Sequence, residues 1–320
     1  MTLTQGVFLD LETIDRGDVD RSGLESGLPA WDWHAFSGDA AIPGRIGEAQ
    51  VVISNKCPLN RAALSGAKEL QLVAIAATGT NIVDLEVARD FGVTVCNIRD
   101  YCSEAVGQHV ITLMLNLLTG QPWYRDQVRQ GDWHDARQFC LLGRPIREAK
   151  GLDFGVIGYG SLGRAAVDKA RALGMKPLVA ERRGQAPRPG RLAFEEVLQR
   201  ADVLSLHCPL NEQTRNLIGR DELYAMKADA ILINTARGGI VNERDLAEAL
   251  RAGDIAGAGV DTLAEEPPPV GHPLLAPDIP TLRITPHNAW ARRAARQAAL
   301  EQLAAVVKGF AEGRPLNVVA

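Results

Sequence analysis

Cysteine is scarce in these 320 residues, and its pattern is uninformative for metals: Cys57, Cys96, Cys102, Cys140 and Cys208 are odd in number and form no CxxC pair. That argues against a disulfide framework and a zinc site, and reads as reduced, packed thiols. Aromatic residues are few, at 5%, no basic run is interleaved with them, and the formal net charge is −4, so the chain offers no general field for nucleic acid. No apolar run approaches membrane-spanning length, and the N-terminus lacks a basic segment ahead of an apolar core. The reading is therefore a cytoplasmic chain without a membrane partner. There are no internal repeats and no low-complexity tract; Glu266-Pro-Pro-Pro-Val270 reads as a rigid loop. What is present is 46% hydrophobic residues in a chain too long for one ordinary core, which suits two domains.

The most informative stretch runs from Leu152 through Gly158-Tyr159-Gly160-Ser161-Leu162-Gly163. It reads as a buried strand, a tight glycine turn and a helix, the local structure that holds a dinucleotide pyrophosphate on free N–H groups. Three glycines at these offsets arise by chance roughly 0.3 times in such a chain, so context must carry the reading. The context agrees: residues 154–157 are apolar, Leu162, Ala166, Ala170 and Leu173 fall at helical spacing, and Gly174 sits where a C-terminal cap glycine belongs. A strand over 177–180 follows, ending at Glu181, where an acid binds ribose hydroxyls. That acid favours NADH and repels a 2′-phosphate, whereas Arg182 and Arg183, which follow at once, are what NADP sites use. The expectation is NAD, with NADH preferred over NADPH and incomplete discrimination.

Apolar runs at 7–9, 51–53, 72–76 and 93–96 alternate with helix-length segments and predict one small parallel α/β unit. A second series at 154–157, 178–180, 203–206, 231–233, 256–260 and 282–285 predicts a doubly wound sheet. Between them, 103–118 reads as a helix apolar on nearly every side and so buried, expected between the domains. The segment 119–150 has no clean periodicity but carries Trp123, Tyr124, Trp133 and Phe139, which suggests an arm packed on a second copy. A long alanine-rich helix over 291–312 leads back to the first unit.

Polar residues of the second series cluster at strand carboxyl ends, where open parallel sheets bind ligands: His207, then 234–237, then Asp261 and Glu266, then His287. His287 suits a general acid–base role, Glu266 could hold its imidazole, and Arg237 offers a fixed fork to a carboxylate and carbonyl. His207 reads as shaping the cofactor edge rather than doing chemistry.

Along essentially its whole length the chain resembles the D-isomer-specific 2-hydroxyacid dehydrogenases. The resemblance rests on the glycine loop, Leu206-His207-Cys208-Pro209-Leu210 followed by Thr214, Ile233-Asn234-Thr235-Ala236-Arg237-Gly238, Asp261-Thr-Leu-Ala-Glu-Glu266-Pro-Pro268 and Pro286-His287-Asn-Ala-Trp290. Within the family it is most similar to the bacterial hydroxypyruvate reductase, or glycerate dehydrogenase, group. The pointers are Ala76-Ala-Thr78-Gly79-Thr80-Asn81 with Val83-Asp84, Tyr101-Cys-Ser-Glu-Ala-Val106 with Gln108-His109, and Gln138-Phe-Cys140 preceding Pro145-Ile-Arg-Glu148.

The resemblance implies a Rossmann-type NAD-binding domain, 99–287, inserted in a smaller flavodoxin-like substrate domain made of 1–98 and 288–320, with a dimerisation arm within 119–150. It makes Arg237 the substrate-anchoring arginine, Glu266 the carboxylate partner and His287 the acid–base histidine. Asp261 would contact the nicotinamide side, and the backbone N–H groups of Thr78, Gly79 and Thr80 would receive the substrate carboxylate. It further implies NAD(P)H-dependent reduction of a short 2-keto acid such as hydroxypyruvate or glyoxylate, in a homodimer. The competing class is a catalytically idle relative that senses NAD(H) as an interaction module. Arg292 and Ala294 stand where the group usually carries a serine and a glutamate, Tyr101-Cys102-Ser103 replaces the commoner Tyr-Ser-Thr, and Glu266, where formate dehydrogenase relatives have glutamine, disfavours formate.

Overall fold

The computed structural model describes residues 3–320, which divide into two compact units. One comprises residues 3–102 with Ala291–Ala320, the other Ser103–Trp290; the divisions fall at 102/103 and 290/291, against 98/99 and 287/288 expected from the sequence.

The first unit holds a five-stranded parallel sheet of β1 (Gln5–Phe8), β2 (Ala30–Trp33), β3 (Val51–Ser54), β4 (Leu72–Ile75) and β5 (Thr94–Asn97). Its order is β2-β1-β3-β4-β5, the flavodoxin-like order. β3 and β4 are buried along their whole length, which is why they read as unbroken apolar runs: helices cover both faces of a parallel sheet. Those helices include α1 (Ser22–Glu25), α2 (Ile42–Ile46), α3 (Arg61–Leu64) and α4 (Leu85–Asp90). β2 is absent from the sequence expectation because its Ala-Trp-Asp-Trp pattern alternates at a sheet edge. Trp31 explains why Gly6 is glycine, since a Cβ there would lie 2.5 Å from the indole ring.

The second unit begins with α5 (Ser103–Thr119) and α6 (Gln121–Gln130) and continues through a six-stranded parallel sheet. Its strands are β6 (Asp153–Ile157), β7 (Lys176–Val179), β8 (Val203–Leu206), β9 (Ile231–Asn234), β10 (Gly257–Val260) and β11 (Leu282–Ile284). The helices between them are α7 (Ser161–Ala172), α8 (Phe194–Arg200), α9 (Arg220–Ala225) and α10 (Glu243–Ala252). The order β11-β10-β9-β8-β6-β7 places the reversal of winding between β6 and β8. Beyond β7 the sheet is continued by a single parallel bridge, Ala180 to Leu192, in place of the outer strand of the six-stranded Rossmann order. α5 packs against α7, β9 and β10 within this unit.

α6 was not legible as a helix: Gly120 (φ +61°) and Gly131 (φ +95°) punctuate its ends, and none of its residues is fully buried, so no core-facing stripe marks it. The chain then returns to the first unit as α11 (Arg293–Ala311), which packs on α1 and β4. Among the described residues no helix is long and apolar enough to cross a membrane, and no group of three or more His, Cys, Asp or Glu side chains could hold a metal ion.

Candidate active site

The glycine turn forms because three positions tolerate no side chain or leave space for something else. Gly158 has φ +93°, and a Cβ on it would lie 2.6 Å from the carbonyl carbon of His207, so strand β8 closes against the turn. A Cβ on Gly163 would lie 2.1 Å from the Gly158 oxygen, which fixes α7 tightly under the turn. Gly160, the N-cap of α7, has nothing within 4 Å of its virtual Cβ and no side-chain cap. The first N–H groups of α7, those of Ser161, Leu162 and Gly163, therefore begin at an open, positively polarised helix end. Tyr159 is half-buried beside them.

The carboxyl edge next to the turn carries unpaired polar atoms. His207 Nδ1, Thr235 Oγ1 and Thr262 Oγ1, at the ends of β8, β9 and β10, are buried without a hydrogen-bond partner. Burial pushes the His207 imidazole down to about 4, so the ring is neutral, with Nε2 2.8 Å from Ser205 Oγ. Burial likewise pushes the Cys208 thiol up to about 11. Thr214 closes the loop after Pro209, donating to the Pro209 carbonyl at 2.6 Å and accepting from Asn211 N–H at 2.8 Å. Ala236 is buried in the turn that leads to Arg237. This open helix end beside unsatisfied polar edge atoms fits a dinucleotide cofactor.

Glu181 lies at the end of β7 as expected but is 3% exposed and fully engaged. Arg188 holds its carboxylate in a fork at 2.6 and 2.7 Å, the N–H groups of Arg182 and Arg188 donate to it at 2.9 and 3.3 Å, and Arg191 stands at 3.5 Å. The Arg188 hydrogen bonds, first among these, hold the carboxyl down at about 2. Arg183 pairs with Glu222 at 2.5 Å, and Arg182 extends into solvent. The sequence reading missed Arg188 and Arg191.

His287 and Glu266 are brought together: Nδ1 of the histidine lies 2.6 Å from Oε2 of the glutamate. A carboxylate only accepts, so Nδ1 carries the proton of this contact and Nε2 is the nitrogen that the glutamate leaves unengaged. The other glutamate oxygen, Oε1, accepts the Leu263 N–H at 2.8 Å. His287 sits in the left-handed region, φ +49°, an unusual state for a residue with a large side chain. Asp261 holds that turn: its backbone oxygen accepts the His287 N–H at 2.8 Å, and its carboxylate accepts from Thr285 Oγ1 (2.5 Å), Asn288 N–H (3.1 Å) and Ala289 N–H (2.9 Å). Trp290 Nε1 donates to the His287 carbonyl at 3.0 Å. Asp261 thus does positional duty that the sequence did not reveal.

Arg237 is half-buried in the turn after β9. Asn234 shapes that turn, accepting the Ala236 N–H at 3.1 Å and donating to the Arg237 carbonyl at 3.0 Å. Because β9, β10 and β11 are neighbours in the sheet, Arg237, Glu266 and His287 come from consecutive strand ends of one edge. In the other unit, Thr78-Gly79-Thr80 follows the end of β4, where the Asn97 amide donates to the Thr78 carbonyl at 2.7 Å and the Val83 N–H to the Thr80 carbonyl at 3.0 Å.

Residues 111–289 match the family described as D-isomer specific 2-hydroxyacid dehydrogenase, NAD binding domain. The chain is 44% identical over 308 residues to a glycerate dehydrogenase of Methylorubrum extorquens, covering 96% of this chain and 97% of that one. It is 32% identical to a hydroxypyruvate reductase of Blautia hydrogenotrophica, covering 98% of each. Among solved structures, a protein of Thermus thermophilus superposes with a TM-score of 0.85 at 33% identity, over 99% of this chain and 100% of its own. The chain belongs to the D-isomer specific 2-hydroxyacid dehydrogenase family, whose NAD-binding domain is the unit carrying the glycine turn.

Proposed function

We propose that the protein reduces a short 2-keto acid, hydroxypyruvate or glyoxylate, to the D-2-hydroxy acid, acting in the cytoplasm as a homodimer. The observation that carries this reading is the His287 Nδ1 to Glu266 Oε2 contact of 2.6 Å at the same strand edge as Arg237. When bound, the reduced nicotinamide cofactor supplies the two electrons, as hydride, that the keto carbon takes up. The glycine turn and the first N–H groups of α7 hold its pyrophosphate, and His207, Cys208, Pro209, Thr214, Thr235, Ala236 and Asp261 line the strand edge that receives the rest.

His287 delivers the proton from Nε2 to the keto oxygen as negative charge develops there, and Glu266 steadies the ring through Nδ1. Arg237 polarises the same oxygen with its fixed, always-charged fork. The resemblance assigns the substrate carboxylate to the backbone N–H groups of Thr78, Gly79 and Thr80 in the first unit. Relatives named for glycerate, hydroxypyruvate and glyoxylate support the choice of a small, polar 2-keto acid.

The test follows NADH absorbance with a panel of hydroxypyruvate, glyoxylate, pyruvate and formate. Turnover of the first two above the others is expected. NADH binding without turnover of any of them would favour the idle sensing module instead.

A further inference from the structure

Behind Glu266 lies a second carboxylate that the reaction itself does not use. Glu243 opens α10, and its Oε1 accepts the Ala264 N–H at 2.7 Å. The preceding N–H, that of Leu263, is the one that holds Glu266 Oε1 at 2.8 Å. Two adjacent amides thus tie one carboxylate to α10 and the other to the reacting histidine. The two amides flank Leu263, and the second, the Leu263–Ala264 peptide, has no freedom on its other side: a Cβ on Gly238, the residue after Arg237, would lie 1.9 Å from the Leu263 carbonyl carbon. The peptide is clamped between the arginine turn and Glu243.

Glu243 is itself fixed. Its Oε2 lies 3.0 Å from His272 Nε2, and His272 is 7% exposed. His272 Nδ1 accepts the Leu274 N–H at 3.3 Å, so the imidazole proton belongs on Nε2, donated to the glutamate. The chain of contacts from the buried edge to the working nitrogen is unbroken: Leu274 N–H, His272, Glu243, Ala264 N–H and its neighbour Leu263 N–H, Glu266, His287. It calls for two acceptor oxygens at position 243. A glutamine there would set its amide hydrogens against either the Ala264 N–H or the His272 proton.

We propose that Glu243 and His272 are positioning residues that set the aim of the Glu266–His287 pair through Leu263 and the two backbone amides that flank it. The inference rests on the acid–base role given to His287 above. Removing the outer partners of metal-ligating side chains typically costs about 10- to 100-fold, and the same order is expected here for groups that orient a reacting side chain without touching substrate.

Glu243→Gln is expected to lower kcat for reduction by about that factor, with KM for the 2-keto acid and the NADH dissociation constant, read by fluorescence, nearly unchanged. Placed on top of Glu266→Gln, Glu243→Gln is expected to add less than about twofold, because the two act as a unit. An equal fractional loss in both backgrounds, or a rise of KM and dissociation constant in step, would overturn the proposal and leave Glu243 a helix-end carboxylate. His272 gives an independent pair of variants, since His272→Gln can still donate to Glu243 while His272→Asn keeps only the acceptor for Leu274. The glutamine variant is expected to retain the higher kcat; equality or the reverse order counts against the network. The Nδ1 proton resonance of His287, followed by nuclear magnetic resonance, needs no turnover and is expected to move in Glu243→Gln. A parent enzyme that turns over no 2-keto acid would defeat the functional reading, whereas an active parent with an unmoved resonance in the variant would defeat only this inference.

Discussion

Glu266 Oε2 and His287 Nδ1 stand 2.6 Å apart although the two residues are 21 positions apart in the chain, on loops that follow neighbouring strands. The contact engages Nδ1 and so leaves Nε2 as the nitrogen for the proposed proton delivery. It requires both the Asp261 carboxylate, which gathers the backbone after Thr285, and the Leu263 N–H, which turns Glu266 toward the ring.

Removing the acid should therefore separate chemistry from binding. His287→Asn is expected to lower kcat by about 10²–10⁴ while the NADH dissociation constant stays near that of the parent. Stopped-flow and fluorescence titration give the two numbers, and parent-like turnover would remove His287 from the acid–base role.

Glu266→Gln keeps the shape and loses the anion. An amide oxygen holds the imidazole more weakly than a carboxylate does, so kcat for reduction should fall while KM for the 2-keto acid stays near that of the parent. A kcat that does not move would assign Glu266 to folding alone.

The arm from α6 onward carries apolar surface that this chain does not cover: Phe139 is 89% exposed, Leu142 76% and Ile146 57%. Surface of that kind, gathered in one segment, marks an interface. Sedimentation should give a dimer at micromolar protein, and Leu142→Asp combined with Phe139→Asp should give a monomer. A parent that sediments as a monomer would end the dimer proposal.

Acid stability follows from His207, whose imidazole is held neutral down to about 4 by burial, against an ordinary value of 6.5. Between those limits the unfolded chain binds the proton and the folded chain does not, so stability is intact above 6.5 and is lost as pH falls toward 4. The loss from this one group amounts to at most about 3 kcal/mol. Urea denaturation of parent and His207→Asn at pH 7 and pH 4.5 should show the variant losing less on acidification; parallel losses would mean that the ring is not shielded.

Much of the site was legible because some residues have only one use in their setting. Gly158 and Gly163 are glycines where a Cβ would strike backbone, so the turn could be read before the structure. His287, Glu266 and Arg237 stand at strand ends, which the runs of buried apolar residues had already marked. The remainder depended on distance in sequence or on surfaces without a core-facing pattern. β2 hides because edge strands alternate, α6 because none of its residues is fully buried, and Glu243 with His272 because their connection to Glu266 runs through the two amides that flank Leu263. The hold of Arg188 on Glu181 belongs to the same class, being formed between residues seven positions apart in a loop with no periodicity.

That hold changes how cofactor choice should respond to mutation. Sequence position alone makes Glu181 an acceptor for ribose hydroxyls and a repulsive group for a 2′-phosphate, yet Arg188 occupies both of its oxygens and offsets its charge. NADH should still be preferred, with weak discrimination, because the anion remains in place and ionised down to about 2. Glu181→Ser releases Arg188 and removes the repulsion together, so the NADPH dissociation constant should fall and that of NADH rise. Arg188→Ala acts in the opposite sense: it exposes an unpaired carboxylate, and binding of NADPH should weaken more than binding of NADH. Titrating both cofactors against parent and the two variants, with no substrate present, reads these changes directly. If both variants shift NADPH binding in the same direction, the pair does not govern the 2′-position and the exposed Arg182 becomes the residue to vary.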